Sequence, residues 1–456
     1  MVEKERIQCL NDKAVDENGR FVVYWMQQSQ REAFNPALEY AARQANALDV
    51  PLVAAFGLDA GYPDANERHF AFMLEGLAET TEALAKRNVK TIASACSPPE
   101  AAIRLAGDAA LVVCDRGYLR HQRRWRTYLA DSIDCRLVQV EGDAIVPVEV
   151  ASGKREWAAR TIRKKINGAR DDYIRNLGAT KLNRSSLPLH ITSDLDLRRW
   201  QPVLDKLDID RSVLPVKRFK PGTKAARRRL SRFLREKLPG YADARNDPSS
   251  PQASELSPYL HFGQISPVEI AIKVQGAGSA SDEDKAAFLE ELVVRRELAI
   301  NFVFYADDYD KYACLPDWAR KTLADHRDDD RPHRYTRREL ENAYTHDRYW
   351  NAAMNEMLAT GYMHNYMRMY WGKKILEWSN TPEYAYRTAL YLNNKYFLDG
   401  RDASSYAGVA WLFGLHDQAW AEREIFGKVR YMSAGGLESK FDIDEYVRRV
   451  DALARR

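Results

Sequence analysis

The chain has 456 residues, 45% of them hydrophobic and 29% charged, enough length for two or three domains with a full core and an ordinary globular composition. No apolar run approaches the roughly 20 residues of a membrane helix, and the polar, mixed-charge opening MVEKERIQCLNDKAVDENGR is unlike a signal or transit peptide, so a cytoplasmic location is expected. Net charge is only +4, but residues 1–150 carry −5 and residues 151–456 carry +9, which places the basic character in the second part and suits a face for nucleic acid.

The first third alternates between strand and helix patterns. RFVVYWM (20–26), PLVAAFGL (51–58), VKTIAS (89–94), ALVVCD (110–115) and RLVQVEG (136–142) are apolar runs. Between them lie helical spacings behind Asn35, over about 66–87, near 98–106 and across YLRHQRRWRTYLADSI. Continuous apolar strands alternating with helices predict a parallel sheet covered on both faces, a doubly wound Rossmann-like α/β domain over 1–150. No GxGxxG follows its first strand, so a standard dinucleotide site is not expected there. Residues 151–210 are charged and mixed and read as an interdomain connector containing a helix. From 211 to 456 the periodicity is almost wholly helical, notably in 223–238, 285–306, 351–378 and 381–397, which predicts an all-α domain. The short finish FDIDEYVRRVDALARR also reads as helix.

Five scattered cysteines, with no CxxC and no His/Cys cluster at zinc spacing, predict buried reduced thiols and no metal site. Two helix starts have a phosphate-binding character: Thr223 and Lys224 behind a Pro-Gly turn, and Ser254 and Ser257 flanking Leu256. On spacing alone each is equally an ordinary N-cap. Two such starts in one domain would together suit a pyrophosphate. The segment MHNYMRMYWGKKILEW (363–378) holds two tryptophans, two tyrosines and three methionines. Trp371 and Trp378 are two helical turns apart, about 10 Å along one face, and Trp350 lies upstream on the same helical stretch. Heptad-spaced aromatics usually mean core. Glu291 with Arg295 fits a surface i,i+4 pair, and Asn393 fits a helix end.

Taken together, ELSPYLHFGQISP, YMHNYMRMYW and YLNNKYFLDGRDASSYAGVAW resemble the flavin-binding segments of the photolyase/cryptochrome family. YWMQQSQREAFNPAL and EREIFGKVRYMSAGG resemble its branch of class II cyclobutane pyrimidine dimer photolyases. The resemblance spans nearly the whole chain. It implies an N-terminal α/β domain and a helical domain holding FAD, active as the reduced anion. The implied activity is light-driven splitting of pyrimidine dimers in UV-damaged DNA by electron transfer. A monomer that joins the nucleoid when bound to DNA is expected. A deazaflavin-type antenna is a further implied cofactor. A blue-light sensor or a (6-4) photolyase on the same fold is the alternative.

The resemblance also implies roles. Tyr241, Thr223, Lys224, Ser254, Leu256 and Ser257 would hold the ribityl-phosphate side of the flavin. His364, Asn365, Arg368 and Asp399 would line its ring, with Arg368 and Asp399 paired against it and Asn393 at N5. Trp371, then Trp350, then Trp378 toward the surface would relay electrons, with Tyr335 as a further donor. Glu291 would bond the thymine bases, held protonated in an apolar pocket. Class I members carry a Trp before the Arg-Glu of this helix. Here Arg295 precedes Arg296 and Glu297, which leaves Met369 and Trp411 as candidate stacking contacts. Arg245, Arg423, Lys428 and Arg430 would face DNA.

Overall fold

The computed structural model describes residues 2–250 and 252–454. Six strands form one sheet in the order β1-β6-β5-β2-β3-β4: β1 (Ile7–Cys9), β2 (Phe21–Trp25), β3 (Leu52–Gly57), β4 (Lys90–Ser94), β5 (Ala109–Asp115) and β6 (Arg136–Val140). The last five are parallel and match the five apolar runs of the sequence. β1 is an addition: three residues, half-exposed to exposed, antiparallel to β6, too short and too polar to be read from alternation. Helices α1 (Pro36–Ala47), α2 (Glu67–Lys86), α3 (Pro98–Ala106) and α4 (Arg120–Ser132) cover the two faces, so β2, β3 and β5 are buried along their whole length, as a doubly covered sheet requires.

The segment expected as a connector does more than link. Helix α5 (Ala159–Tyr173) buries Ile162 and Ile166 among the helical half of the molecule. The chain then runs back along the open edge of β4. Ser186 Oγ accepts from Lys90 N at 2.7 Å, Ser193 Oγ accepts from Ala93 N at 2.9 Å, and Leu195 N donates to the Ala93 carbonyl at 3.1 Å. These bonds occupy an edge that would otherwise offer unpaired backbone groups.

The helical half is built from α6 (Thr223–Glu236), α7 (Asp282–Leu289), α8 (Arg296–Tyr305), α9 (Arg348–Thr360), α10 (Asn365–Trp378), α11 (Pro382–Tyr396), α12 (Ala403–Leu412) and α13 (Ile443–Ala454), with shorter turns between them. Two long helical patterns of the sequence are interrupted. Between α7 and α8, Glu290–Arg295 form a wide π-helical turn, a local distortion that often accompanies function. Between α9 and α10 the chain stops at Gly361 (φ +68°), where a Cβ would lie 2.9 Å from Leu398 Cγ, and restarts behind His364. Trp350 and Trp371 therefore lie on separate packed helices, not on one.

The two halves are joined by buried polar contacts. Glu297 of α8 accepts from Ile145 N at 2.7 Å and from Val146 N at 3.2 Å, and Arg296 pairs with Asp143 at 2.9 Å. Burial lifts the Glu297 carboxyl to about 8, against the downward pull of the two backbone donors. A carboxyl raised in the folded state costs nothing below its unfolded value of about 4.3, then costs about 1.4 kcal/mol per pH unit as pH climbs toward the folded value. Stability should therefore fall between about pH 5 and pH 8, and Glu297→Gln should flatten that decline. Thermal unfolding of both proteins across the range checks it; parallel slopes would refute the assignment.

Candidate functional site

Helix α10 carries five of the expected residues, Asn365, Arg368, Met369, Trp371 and Trp378. Its N-cap is His364, whose Nδ1 accepts from Tyr366 N at 3.3 Å, which puts the ring proton on Nε2. That Nε2 is buried without a well-aligned partner, and burial draws the imidazole down to about 4. One turn on, Arg368 pairs with Asp399 at 3.2 Å, and its guanidinium lies 3.8 Å from the Phe397 ring centre. Asn365, at the helix start, is exposed.

Asp399 follows α11, whose last turn holds Asn393. The buried Asn393 amide donates to Asn394 Oδ1 at 3.0 Å. Asn394 is held in turn by Asp64 Oδ2 at 3.0 Å and by the Arg401 backbone N–H at 3.1 Å. This chain fixes which end of the Asn393 amide is spent, leaving its oxygen as the free acceptor. Asn393 is also a helix-end residue, since its carbonyl accepts from Phe397 N. Gly400 allows the tight return: a Cβ there would meet the Asn393 carbonyl oxygen at 2.8 Å.

The two expected phosphate-binding helix starts differ. Ser254 borders a cavity of about 350 Å³ that Arg218, Tyr362 and His364 also line, whereas Leu256 is buried in the core and Ser257 begins a short helix, neither of them on the cavity wall. Glu255, between Ser254 and Leu256, is buried, has φ +54°, and pairs with Arg218 at 2.7 Å and with Arg229. The start of α6 is closed by the protein's own anion: Glu79 accepts from Lys224 N at 2.9 Å, and Lys224 itself is exposed. Gly222, not Thr223, is the cap residue. Thr223 is buried with its hydroxyl unpartnered, so one polar atom there still seeks a ligand while the helix end does not. Tyr241 is buried on Phe288 and Phe233, and its phenol is pushed up to about 12 by burial and then by Glu291.

Three buried tryptophans lead outward. Trp371 is 1% exposed and its indole N–H has no partner. Trp350 of α9 donates its indole N–H to the Trp371 carbonyl at 2.9 Å and lies 5.6 Å from Trp378 between ring centres. Trp378 is itself buried; Tyr335, 5.3 Å further, is the ring that nears solvent.

Glu291 lies in the π-helical turn, but its surroundings differ from those expected. Its side chain is 37% exposed and pairs with Arg245 at 2.5 Å, so the apolar pocket is absent. The i,i+4 pairing with Arg295 is absent too, because Arg295 pairs with Glu290, which also binds Arg163. Two expected residues thus meet each other: the lesion-side Glu291 and the DNA-side Arg245.

Met369 and Trp411 are half-buried. Sequence reasoning missed Lys373, which is fully buried, donates to the Leu412 carbonyl at 2.6 Å and sits 5.1 Å from the Trp411 ring centre. Burial draws it down to about 7. It secures the end of the helix that presents Trp411. Arg423, Lys428 and Arg430 are exposed on a tight hairpin closed by bonds between Arg423 and Gly427 and from Trp420 N to the Lys428 carbonyl. Trp420, also unforeseen, is 42% exposed beneath Arg430, whose guanidinium lies 4.8 Å from its ring. An exposed tryptophan among basic residues was a signal the sequence held.

A second cavity, of about 100 Å³, lies beyond the carboxyl ends of β2, β3 and β5 and is lined by Gln28, Asp59, Tyr62, His69, Phe262 and Arg401. The strand order reverses at β2, the place where open α/β sheets bind ligands. Cys114, Cys135 and Cys314 are buried, whereas Cys9 is exposed and Cys96 half-buried, against the expectation for all five. Among the described residues no helix is long and apolar enough to cross a membrane.

The family model for DNA photolyase matches residues 22–182. A deoxyribodipyrimidine photo-lyase of Methanothermobacter thermautotrophicus is 48% identical, covering 99% of this chain and 99% of its own. One of Oryza sativa is 41% identical over 95% of this chain and 88% of its own, and one of Potorous tridactylus 38% over 98% and 84%. Among solved structures, a bacterial class III photolyase from Agrobacterium tumefaciens matches with TM-score 0.72 at 20% identity, covering 95% of this chain and 86% of that one. A Synechocystis cryptochrome matches with TM-score 0.73 at 16%, covering 94% and 87%. These structures share the fold; the full-length relatives carry the kinship, and by them this chain belongs to the photolyase/cryptochrome family.

Proposed function

We propose that the protein is a class II-type cyclobutane pyrimidine dimer photolyase that repairs UV-damaged DNA as a monomer. What supports this most is the 48% identity along the full length of a relative named deoxyribodipyrimidine photo-lyase. Reduced anionic FAD, when bound, would supply the light-driven electron that splits the dimer. The helical unit from about 211 to 456 would hold it, and the unpartnered Thr223 hydroxyl and Trp371 Nε1 are buried donors that fit a polar cofactor. Ser254, Leu256, Ser257 and Tyr241 would take its phosphate side. Asn365, Arg368 and Asp399 would flank the ring, and the free oxygen of Asn393 would accept a flavin N–H. Lys224, facing solvent, would contribute only long-range charge.

On the DNA side, Arg423, Lys428 and Arg430 would contact phosphates, and Met369, Trp411 and Trp420 would stack against unpaired bases. Glu291, oriented by Arg245, would accept from the N–H edge of a thymine. The α/β unit through about residue 150 would hold a deazaflavin-type antenna.

The test is repair of a thymine-dimer oligonucleotide by pre-reduced protein in blue light and in the dark. Dimer loss only in the light is the expected result; a yellow protein that repairs nothing would favour a light sensor or a (6-4) substrate. In the same assay Glu291→Ala should retain flavin and lower repair about tenfold or more, in the range of a lost polar contact to substrate. Full repair by that variant would reduce Glu291 to the partner of a surface arginine.

A further inference from the structure

Beyond Trp378 the line of rings ends at Tyr335, whose phenol meets His346, with His333 stacked behind it. Tyr335 is tied to the end of α10 by its backbone N–H, which donates to the Trp378 carbonyl at 3.4 Å. Its phenol oxygen has two partners, both on His346: the backbone N–H at 3.0 Å and ring Nδ1 at 2.7 Å. The backbone group can only donate, so it takes an acceptor position on the phenol oxygen. In the tautomer that carries the His346 proton on Nε2, the phenol hydrogen points at Nδ1, which accepts it. His333 stacks on His346 with ring centres 3.6 Å apart and planes 23° from parallel. Both imidazoles are exposed, while Trp378 next to them is buried.

We propose that His346 is the proton acceptor that makes Tyr335 the terminal electron donor of the tryptophan chain, an inference that rests on the relay reading above. The oxidant is the tryptophan radical cation left on Trp378 once the relay has fired. One electron passes from Tyr335 to Trp378 while the phenol O–H bond breaks and an N–H bond forms at Nδ1. The products are neutral Trp378, a neutral tyrosyl radical and a His346 imidazolium, with one positive charge before and after. An oxidised phenol is a strong acid, so a base already hydrogen-bonded to it removes the cost of a charged intermediate. The exposed imidazolium can then release its proton to water, so the hole cannot return inward without recovering a proton. His333, Asp347, Lys374 and Glu377 are the charged or titratable groups facing His346. Burial first, and then His333, hold its pKa below the usual histidine value, which keeps it an acceptor at neutral pH.

The experiment is flash spectroscopy of the holoprotein carrying oxidised flavin, resolving tryptophan from tyrosyl radicals, with His346→Asn and Tyr335→Phe beside the wild type. Wild type should end on a tyrosyl radical. Tyr335→Phe should stop at tryptophan. His346→Asn should lower the tyrosyl yield about tenfold or more, and added imidazole should restore it, because the site is open to solvent. The wild-type yield should fall as acid protonates His346. In the dark, 15N spectra should find His346 neutral with its proton on Nε2. Tyrosyl formation unchanged in His346→Asn, or a His346 protonated on Nδ1 at neutral pH, would overturn the proposal and leave the relay intact. Absence of any tryptophan radical in the wild type would overturn the relay itself.

Discussion

Trp371→Phe is expected to slow light-driven reduction of oxidised flavin by about tenfold or more, while enzyme reduced chemically beforehand repairs at a similar level. The contrast follows from what the residue does in the fold. Trp371 is buried, its indole N–H has no protein partner, and its backbone carbonyl receives the Trp350 indole. Phenylalanine keeps the aromatic packing against Phe397 and the backbone carbonyl, so α9 and α10 stay docked. It removes the one property phenylalanine cannot supply, a ring that gives up an electron readily. Trp350→Phe should act in the same direction, since Trp350 links the other two, its indole N–H on the Trp371 carbonyl and its ring 5.6 Å from that of Trp378. The check is the rate of flavin bleaching under blue light with an external thiol, beside a dimer-repair assay after dithionite. Equal photoreduction in wild type and Trp371→Phe would send the aromatic-rich segment back to a purely packing role.

The sequence carried the sheet well because its central strands are buried on both faces and must be apolar throughout. It did not carry β1, whose three residues owe their pairing to β6 rather than to their own pattern. The helical half was legible as helix but not as separate helices. The break at Gly361 depends on the close approach of Leu398, which lies 37 positions later in the chain. Local spacing also misassigned ion pairs: Glu291 was read against Arg295 four residues on, whereas its partner is Arg245, 46 residues back. The same limit hid Asn394, Lys373 and His346. Each takes its meaning from a neighbour brought up by the fold: Asp64 for Asn394, Leu412 for Lys373, Tyr335 for His346. Motif resemblance named residues that would touch a cofactor; it was silent on those that hold such residues in place.

Arg68 is the residue of that supporting kind with the largest expected effect on stability. It lies on α2 of the α/β unit and is 5% exposed, yet among the described residues it pairs with no carboxylate. Its guanidinium instead donates to four carbonyls: Leu214 at 3.0 Å, Met357 at 3.3 Å, Tyr396 at 2.7 Å and Leu358 at 2.7 Å. Met357 and Leu358 end α9, which carries Trp350, and Tyr396 ends α11, which carries Asn393. The carbonyls at helix C-termini bear partial negative charge, so one cation suits both ends, and of the four carbonyls Met357 also accepts from Gly361 N. Burial still exacts its toll, drawing the guanidinium down to about 10. Arg68→Met keeps much of the side chain's length but strips the donors from these carbonyls. A loss of about 3 kcal/mol or more is expected, since a hydrogen bond to a charged donor contributes about 1.5–3 kcal/mol and several are removed together. Because the two helices so joined carry Trp350 and Asn393, the residues proposed to serve the flavin, flavin retention should fall together with the unfolding midpoint. Denaturant unfolding and the flavin-to-protein absorbance ratio test the two effects separately. A variant as stable as the wild type would mean that water replaces the guanidinium at those carbonyls. A destabilised variant that keeps its flavin would mean that the two halves come apart before the site does.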